Sequence, residues 1–144
     1  EAGWSEPIKK YRQHFGAIVC FSALHHIPGN EQRLHMMREI HDLLEPGGKC
    51  AVSVWQLSHV PRLKKKIIPW SSINIEPKEL EANDFLVNWK MGGEGFRYVH
   101  EFDADELQAL FHEAGFEPIE TYRSDGQTGD MGLYVIGEKR ADAL

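Results

Sequence analysis

Two adjacent histidines, His25 and His26, follow an unbroken apolar run, Ala17-Ile18-Val19-Cys20-Phe21, and a serine, Ser22. Histidine changes charge near neutral pH, so imidazoles at the mouth of a buried strand suit proton transfer. They suit a hydrogen-bonded strand-to-helix turn equally well, and the residues alone leave both readings open. A second group, Arg97, Tyr98 and His100, lies far along the chain. Arginine grips a carboxylate or phosphate through two parallel N–H donors; the alternative is ion pairing at the surface. On an extended segment Arg97 and His100 face opposite sides unless a bend intervenes. Trp55, Asp84 and Trp89 are candidates for a binding pocket, with a packing role as the alternative for Trp55. Cys20, His25 and His26 have the residue types of a metal site. Cys20 falls inside the strand, however, and no fourth ligand stands at a recognisable spacing, so no metal is expected.

The elements that must position these groups are readable from periodicity. The apolar run predicts a strand over 17–22, buried on both faces as in a parallel sheet. Pro28-Gly29-Asn30 breaks it, and Asn30 is placed to cap a helix. Leu34, Met37, Ile40 and Leu44 recur at three- and four-residue steps and predict a helix over 31–44, ended by Gly47-Gly48. Cys50-Ala51-Val52-Ser53-Val54-Trp55 reads as a second buried strand. Val60–Ile68 reads as a short helix stopped by Pro69, and 71–95 as an irregular stretch with Trp70, Phe85, Leu86 and Trp89 to cover something. Asp103 and Glu106 form a capping box for a helix whose apolar face is Leu107, Leu110 and Phe111 and whose end is Gly115. Strands over 116–122 and 132–138 flank a turn-rich link, Ser124–Asp130. Residues just beyond the first strand lie at a carboxyl edge, where open α/β sheets bind ligands.

The 144 residues make one domain at most, with 42% apolar residues and a formal net charge of −6. That charge argues against a generic nucleic-acid binder, because phosphate affinity rests on Lys and Arg. The one dense basic run is Arg62 with Lys64, Lys65 and Lys66, either a solvated helix face or a phosphate contact. Cys20 and Cys50 fall in strands and read as buried reduced thiols. His14, His35, His41, His59 and His112 belong to no constellation and are expected at the surface. No apolar run approaches the ~20 residues that span a membrane, and no signal peptide is visible, which together point to a cytoplasmic protein.

The succession of strand, Leu24-His25-His26-Ile27, helix, Leu44-Glu45-Pro46-Gly47-Gly48 and strand resembles the second half of the class I S-adenosylmethionine-dependent methyltransferase domain. Phe96-Arg97-Tyr98-Val99-His100-Glu101-Phe102, leading into Asp105-Glu106-Leu107 and Ala114-Gly115-Phe116, resembles the tail of the tRNA wobble-uridine carboxymethyl methyltransferases. Asn83–Trp89 is similar to that subfamily too, while Val99 stands where it has a second tyrosine.

The resemblance implies an α/β, Rossmann-like methyltransferase fold, its C-terminal half only, with strands four to seven and their helices. The chain is then a single partial domain over 1–144. Residues 15–57 hold the fourth strand, helix and fifth strand, 58–102 a substrate-side insertion, and 103–139 the closing helix and antiparallel pair. The implied activity is methyl transfer from S-adenosyl-L-methionine to an RNA base substituent or a small molecule. Phe21, Ser22 and His25 would border the donor. His25, His26, Arg97 and His100 would be the catalytic candidates, and Trp55, Asp84, Trp89, Arg97 and Tyr98 would meet the acceptor. The family's Gly-x-Gly-x-Gly loop has no counterpart, since Gly92-Gly93-Glu94-Gly95 opens no predicted helix. The missing N-terminal half would therefore be needed for donor binding, and the isolated chain is expected to be inactive. The rival reading is a catalytically inert, methyltransferase-like partner or regulatory subunit.

Overall fold

The computed structural model describes residues 6–141. A four-stranded sheet in the order β1-β2-β7-β6 is built from Phe15–Phe21, Leu44–Trp55, Gly132–Lys139 and Phe116–Ser124. β1 and β2 are parallel, bridged by helix α1 (Asn30–Leu43), and β7 runs antiparallel to both β2 and β6. These are the strand pairs and the bridging helix expected from the apolar runs. Helix α2 is short (Pro61–Lys64), and α3 covers Ala104–Glu113.

Helices α1 and α3 cover one face of the sheet. Met37, Ile40, Leu107, Leu110 and Phe111 pack there against Cys20, Cys50, Val52, Val54, Leu133 and Val135. The other face is open. Val19 is 62% exposed and Phe21 52%, which corrects the expectation that the first strand is buried on both faces. The unbroken apolar pattern reflects two faces of which the described residues cover one. β1 is also a sheet edge. Across this open face Phe21, Ser53, Tyr134 and Tyr122 stand in register, with Phe21 edge-on to Tyr134 and Tyr134 stacked on Tyr122 at 5.0 Å. Both thiols are free and buried. Burial raises the Cys20 thiol above its usual range and, with Cys20 nearby, pushes Cys50 up to about 12.

Several local expectations shift by a turn or change type. Gly47-Gly48 does not end α1. It forms a bulge within β2, where the register jumps between Phe15 and Ala17 opposite Leu44 and Lys49. A Cβ at Gly48 would stand 2.9 Å from the Glu45 carbonyl oxygen, so only glycine fits the bulge. The helix end is held instead by the buried Lys139, whose ammonium donates to the carbonyls of His41 and Leu44 at 2.8 and 2.9 Å. Gly29, not Asn30, takes the N-cap position of α1. The helix expected over Val60–Ile68 is a single turn, α2. His41 is half-buried, edge-on to Phe116, while His14, His35, His59 and His112 are exposed.

A second sheet, β3-β4-β5, is formed by Ile67–Ile68, at the end of the segment expected to be a helix, Asp84–Trp89, inside the stretch read as irregular, and Gly95–His100, which runs on from its end. Gly92 and Gly93 adopt left-handed conformations in its β4–β5 turn and lead to no helix. Phe85, Val87 and Val99 face Leu57, Leu63, Val60 and Trp55, forming a second small core against the end of β2.

One close approach inside the main core yields a test. A Cβ added to Gly137 would meet the Phe111 ring at 2.4 Å. Gly137→Ala forces β7 away from α3 and is expected to cost about 1–3 kcal/mol. It should appear as a lower urea midpoint with an unchanged slope.

Candidate functional site

The parallel pair ends at Phe21 and, opposite it, Ser53. Ser22 then takes a left-handed conformation (φ 53°), with its N–H bonded to the carbonyl and hydroxyl of Ser53 at 3.0 and 3.1 Å. This turn sends the chain into a short 3-10 helix, Leu24–His26, lying over the end of β2. Both histidines thereby meet Trp55. Ring centroids are 4.2 Å apart for His25 and His26, 4.8 Å for His25 and Trp55, and 4.9 Å for His26 and Trp55. Trp89, from the second sheet, stacks on Trp55 at 5.8 Å. The Arg97 guanidinium lies 4.1 Å and the Lys66 ammonium 4.8 Å from the centre of the Trp89 ring, in cation–π contact. Five candidate residues far apart in sequence, His25, His26, Trp55, Trp89 and Arg97, thus share one cluster at the carboxyl edge. An opening of about 310 Å³ is lined by His26, Arg97 and Tyr98.

The two imidazoles differ in kind. His25 is fully buried; its Nδ1 accepts the Trp55 N–H at 3.4 Å, so the proton sits on Nε2, which has no partner. Burial, then the neighbouring His26 and Arg97, lower its pKa to about 3. A base that weak is a poor acceptor of protons near neutrality. His26 is half-buried, and its Nδ1–H donates to the Tyr98 carbonyl at 2.9 Å. That bond fixes the tautomer and leaves the Nε2 lone pair available. Burial lowers its pKa and Arg97 adds to the effect, against the opposing Tyr98 bond, so the ring is held neutral.

Asp84, Tyr98 and His100 belong to a separate polar network. The Tyr98 hydroxyl donates to Asp84 Oδ1 at 2.6 Å, and His100 Nδ1 donates to the same oxygen at 2.7 Å. His100 Nε2 meets Glu106 Oε1 at 2.6 Å. The buried Arg33 donates to the Ile27 carbonyl, to Tyr98 Oη and to Glu81, and Glu81 in turn accepts the Asn30 N–H. Burial and the bond to Asp84 raise the Tyr98 phenol. The network ties β4 and β5 to α1 and α3. Because side chains alternate along β5, fixing Tyr98 and His100 inward presents Arg97 to the Trp89 side, as the three-residue spacing requires. Glu106 serves this network rather than the expected capping box, and Asp103 alone caps α3, accepting the Glu106 N–H at 2.8 Å. Ligand-type atoms of Glu81, Asp84 and His100 lie within 4.8 Å of one another. Arg33, Tyr98 and the imidazole itself already engage these carboxylates.

Phe21 and Ser22 lie at the strand end on the open side, apart from His25, which is buried against Trp55. Arg33 and Lys66 were not among the candidates. Arg33 had a legible signal, since with Met37 and Ile40 it shares the apolar stripe of α1. Lys66 had none beyond its place in a basic run.

A parallel pair bridged by a helix, a closing antiparallel pair and a cluster at the carboxyl edge define a Rossmann-like α/β domain. A family model described as a methyltransferase domain matches residues 3–121, and the chain belongs to that family. Its similarity to a protein of Encephalitozoon cuniculi, named "Putative methyltransferase", is 24% identity over 87% of this chain and 53% of that protein. A mouse protein, "Probable tRNA methyltransferase 9B", is 31% identical over 41% of this chain and 14% of its own length. Among solved structures, a SAM-dependent methyltransferase from Methanosarcina mazei superposes with TM-score 0.68 at 21% identity, covering 92% of this chain and 62% of that one. A Burkholderia thailandensis 1,6-didemethyltoxoflavin-N1-methyltransferase with bound S-adenosylhomocysteine superposes with TM-score 0.58 at 19% identity, covering 90% and 45%. The chain spans about half the length of the E. cuniculi relative. No helix among the described residues is long and apolar enough to cross a membrane.

Proposed function

We propose that this chain is the substrate-side, C-terminal half of an S-adenosylmethionine-dependent methyltransferase domain. Its acceptor would be an RNA base substituent or a small molecule. The observation that carries the reading is the His26–Trp55–Trp89–Arg97 cluster at the carboxyl edge of a parallel pair whose outer edge and one face are left uncovered by the described residues. Val19 and Phe21 expose on that edge and face the apolar area that a preceding parallel strand and its helices would cover. On this reading 15–57 supplies the strand ends, 58–102 the acceptor side and 103–139 the closing elements.

The residues present fit one flank of the donor. Phe21 offers an exposed ring, and Ser22 a turned strand end, toward the open side. When bound, the sulfonium supplies an already activated methyl group. The chain's own residues then have to align the acceptor and exclude water. Trp55 and Trp89 form an apolar wall. Arg97, whose contact is the Trp89 ring, holds an anionic part of the acceptor. His26, neutral and with Nε2 free, takes the proton from a hydroxyl or amine acceptor; a carboxylate acceptor needs no base. Asp84, Tyr98 and His100 position β5 through the buried network.

Arg97→Ala in the intact protein tests this. Losing a charged hydrogen bond costs about 1.5–3 kcal/mol, so acceptor kcat/KM should fall roughly 10- to 150-fold. Donor affinity by calorimetry should stay nearly unchanged. Equal losses for donor and acceptor, or a lower melting temperature with normal turnover, would show that Arg97 is structural.

A further inference from the structure

The basic run lies at one end of the second sheet, and only its Lys66 touches the site described above, through the Trp89 ring. Lys64 ends α2, Lys65 and Lys66 lead into β3, and Lys90 follows β4. All four are exposed, and among the described residues none makes an ion pair. The lysines and arginines that do pair with carboxylates, Lys9, Arg12, Arg33, Lys49, Lys78 and Arg140, lie elsewhere. Lys65, Lys66 and Lys90, with Ile68 and Asn88, border a cavity of about 380 Å³. Asn88 stands directly opposite Phe96 in the β4–β5 register. Phe96 is 55% exposed, and Met91 in the adjoining turn is 80% exposed. An acidic chain therefore concentrates uncompensated ammonium groups beside a bare aromatic ring, at the end of the sheet that carries Trp89 and Arg97.

We infer that this end of the second sheet is a docking face for a single-stranded polynucleotide. Its phosphates take Lys64, Lys65, Lys66 and Lys90, and one of its bases stacks on Phe96. The pairing of chemistry selects the partner. A polynucleotide carries a charge and a ring at every residue, and stacking on an aromatic side chain tolerates any base. An acidic peptide matches the lysines but leaves Phe96 unused. A duplex matches the charges but keeps its bases stacked away from the ring. The face deepens the acceptor reading above and rests on it only for the link to methyl transfer. Strand binding is read without donor, so it stands or fails separately from turnover.

The test is fluorescence anisotropy of a labelled single-stranded oligouridylate of about 12 nucleotides with the intact protein, titrated between about 50 and 200 mM salt. Four phosphate contacts predict a slope of log K against log salt near −3, at about −0.7 per contact on single strands. Replacing Lys65, Lys66 and Lys90 together by alanine should flatten the slope by about 2. Phe96→Ala should weaken binding about tenfold or more and leave the slope alone. These side chains are exposed, so both variants should keep the parent melting temperature. An oligodeoxynucleotide arm separates the two strand chemistries, and binding of either supports the face. No binding at the lowest salt, or variants that bind like the parent, would overturn the assignment. Poly-glutamate binding as tightly, with the same loss in the lysine variant and none in Phe96→Ala, would give the face to an acidic protein instead.

Discussion

Asp84→Ala is expected to be among the most damaging single changes in the chain, at about 3–5 kcal/mol. The side chains of Asp84 and His100 are only 4% and 2% exposed. One carboxylate oxygen takes both the Tyr98 hydroxyl and the His100 imidazole, and the other accepts the Glu81 N–H at 2.9 Å. Removing the carboxylate leaves a buried imidazole with Glu106 alone and a half-buried phenol without its acceptor. Such orphaned groups cost more than the net worth of the bonds themselves. Urea unfolding of the intact protein should show the loss, and the Asp84→Ala/His100→Ala pair should be strongly non-additive because the two side chains share one network. Asp84→Asn, which keeps an acceptor oxygen but not the charge, should lose less. Normal stability with abolished turnover in Asp84→Ala would instead place this carboxylate against the acceptor.

Acid should destabilise the protein over a window set by His25. The unfolded imidazole titrates near 6.5, whereas burial, His26 and Arg97 hold the folded one at about 3. The fold therefore binds the neutral ring. Above about pH 6.5 both states are neutral and the contribution is fully present. As the pH falls, the unfolded state takes up a proton that the folded state refuses, and stability drops until the folded ring protonates as well. Three and a half units at 1.36 kcal/mol each amount to roughly 5 kcal/mol over the full window. By about pH 5 some 2 kcal/mol should already be gone. His26, lowered for the same first reason, adds in the same direction. The check is the urea midpoint measured from neutral pH downward for the parent and for His25→Phe, whose ring is similar in size and cannot ionise. The parent should lose stability steeply and the variant markedly less. Parallel profiles would show that His25 is not the titrating group.

The fold separates cleanly into what local pattern specifies and what it cannot. Ala17–Phe21, Cys50–Trp55 and the 34-37-40-44 stripe specify a strand, a strand and a helix, because each pattern matches one backbone period. The open face of β1 is not in that pattern. An apolar residue reads the same whether a helix covers it or not, and Val19 and Phe21 are exposed only because α1 and α3 lie together on the opposite side. The β3-β4-β5 sheet escaped the reading because Trp70, Phe85, Leu86 and Trp89 show neither a clean alternation nor a helical stripe. Its strands are held by contacts with the end of β2 and with α1 and α3 rather than by local propensity.

The candidate residues divide along the same line. Residue type and spacing marked His25, His26, Trp55, Asp84, Trp89, Arg97, Tyr98 and His100 as able to do chemistry. Alternation along one strand already required Arg97 and His100 to face apart. Tertiary structure alone decided that Asp84, Tyr98 and His100 share a buried network with Arg33 and Glu106, while Arg97 meets Trp89, Trp55 and His26. It also decided that one histidine of an identical adjacent pair keeps its free lone pair and the other does not. A side chain's chemistry is set by its atoms, but its partners, its burial and hence its proton are set by elements brought beside it from elsewhere in the chain.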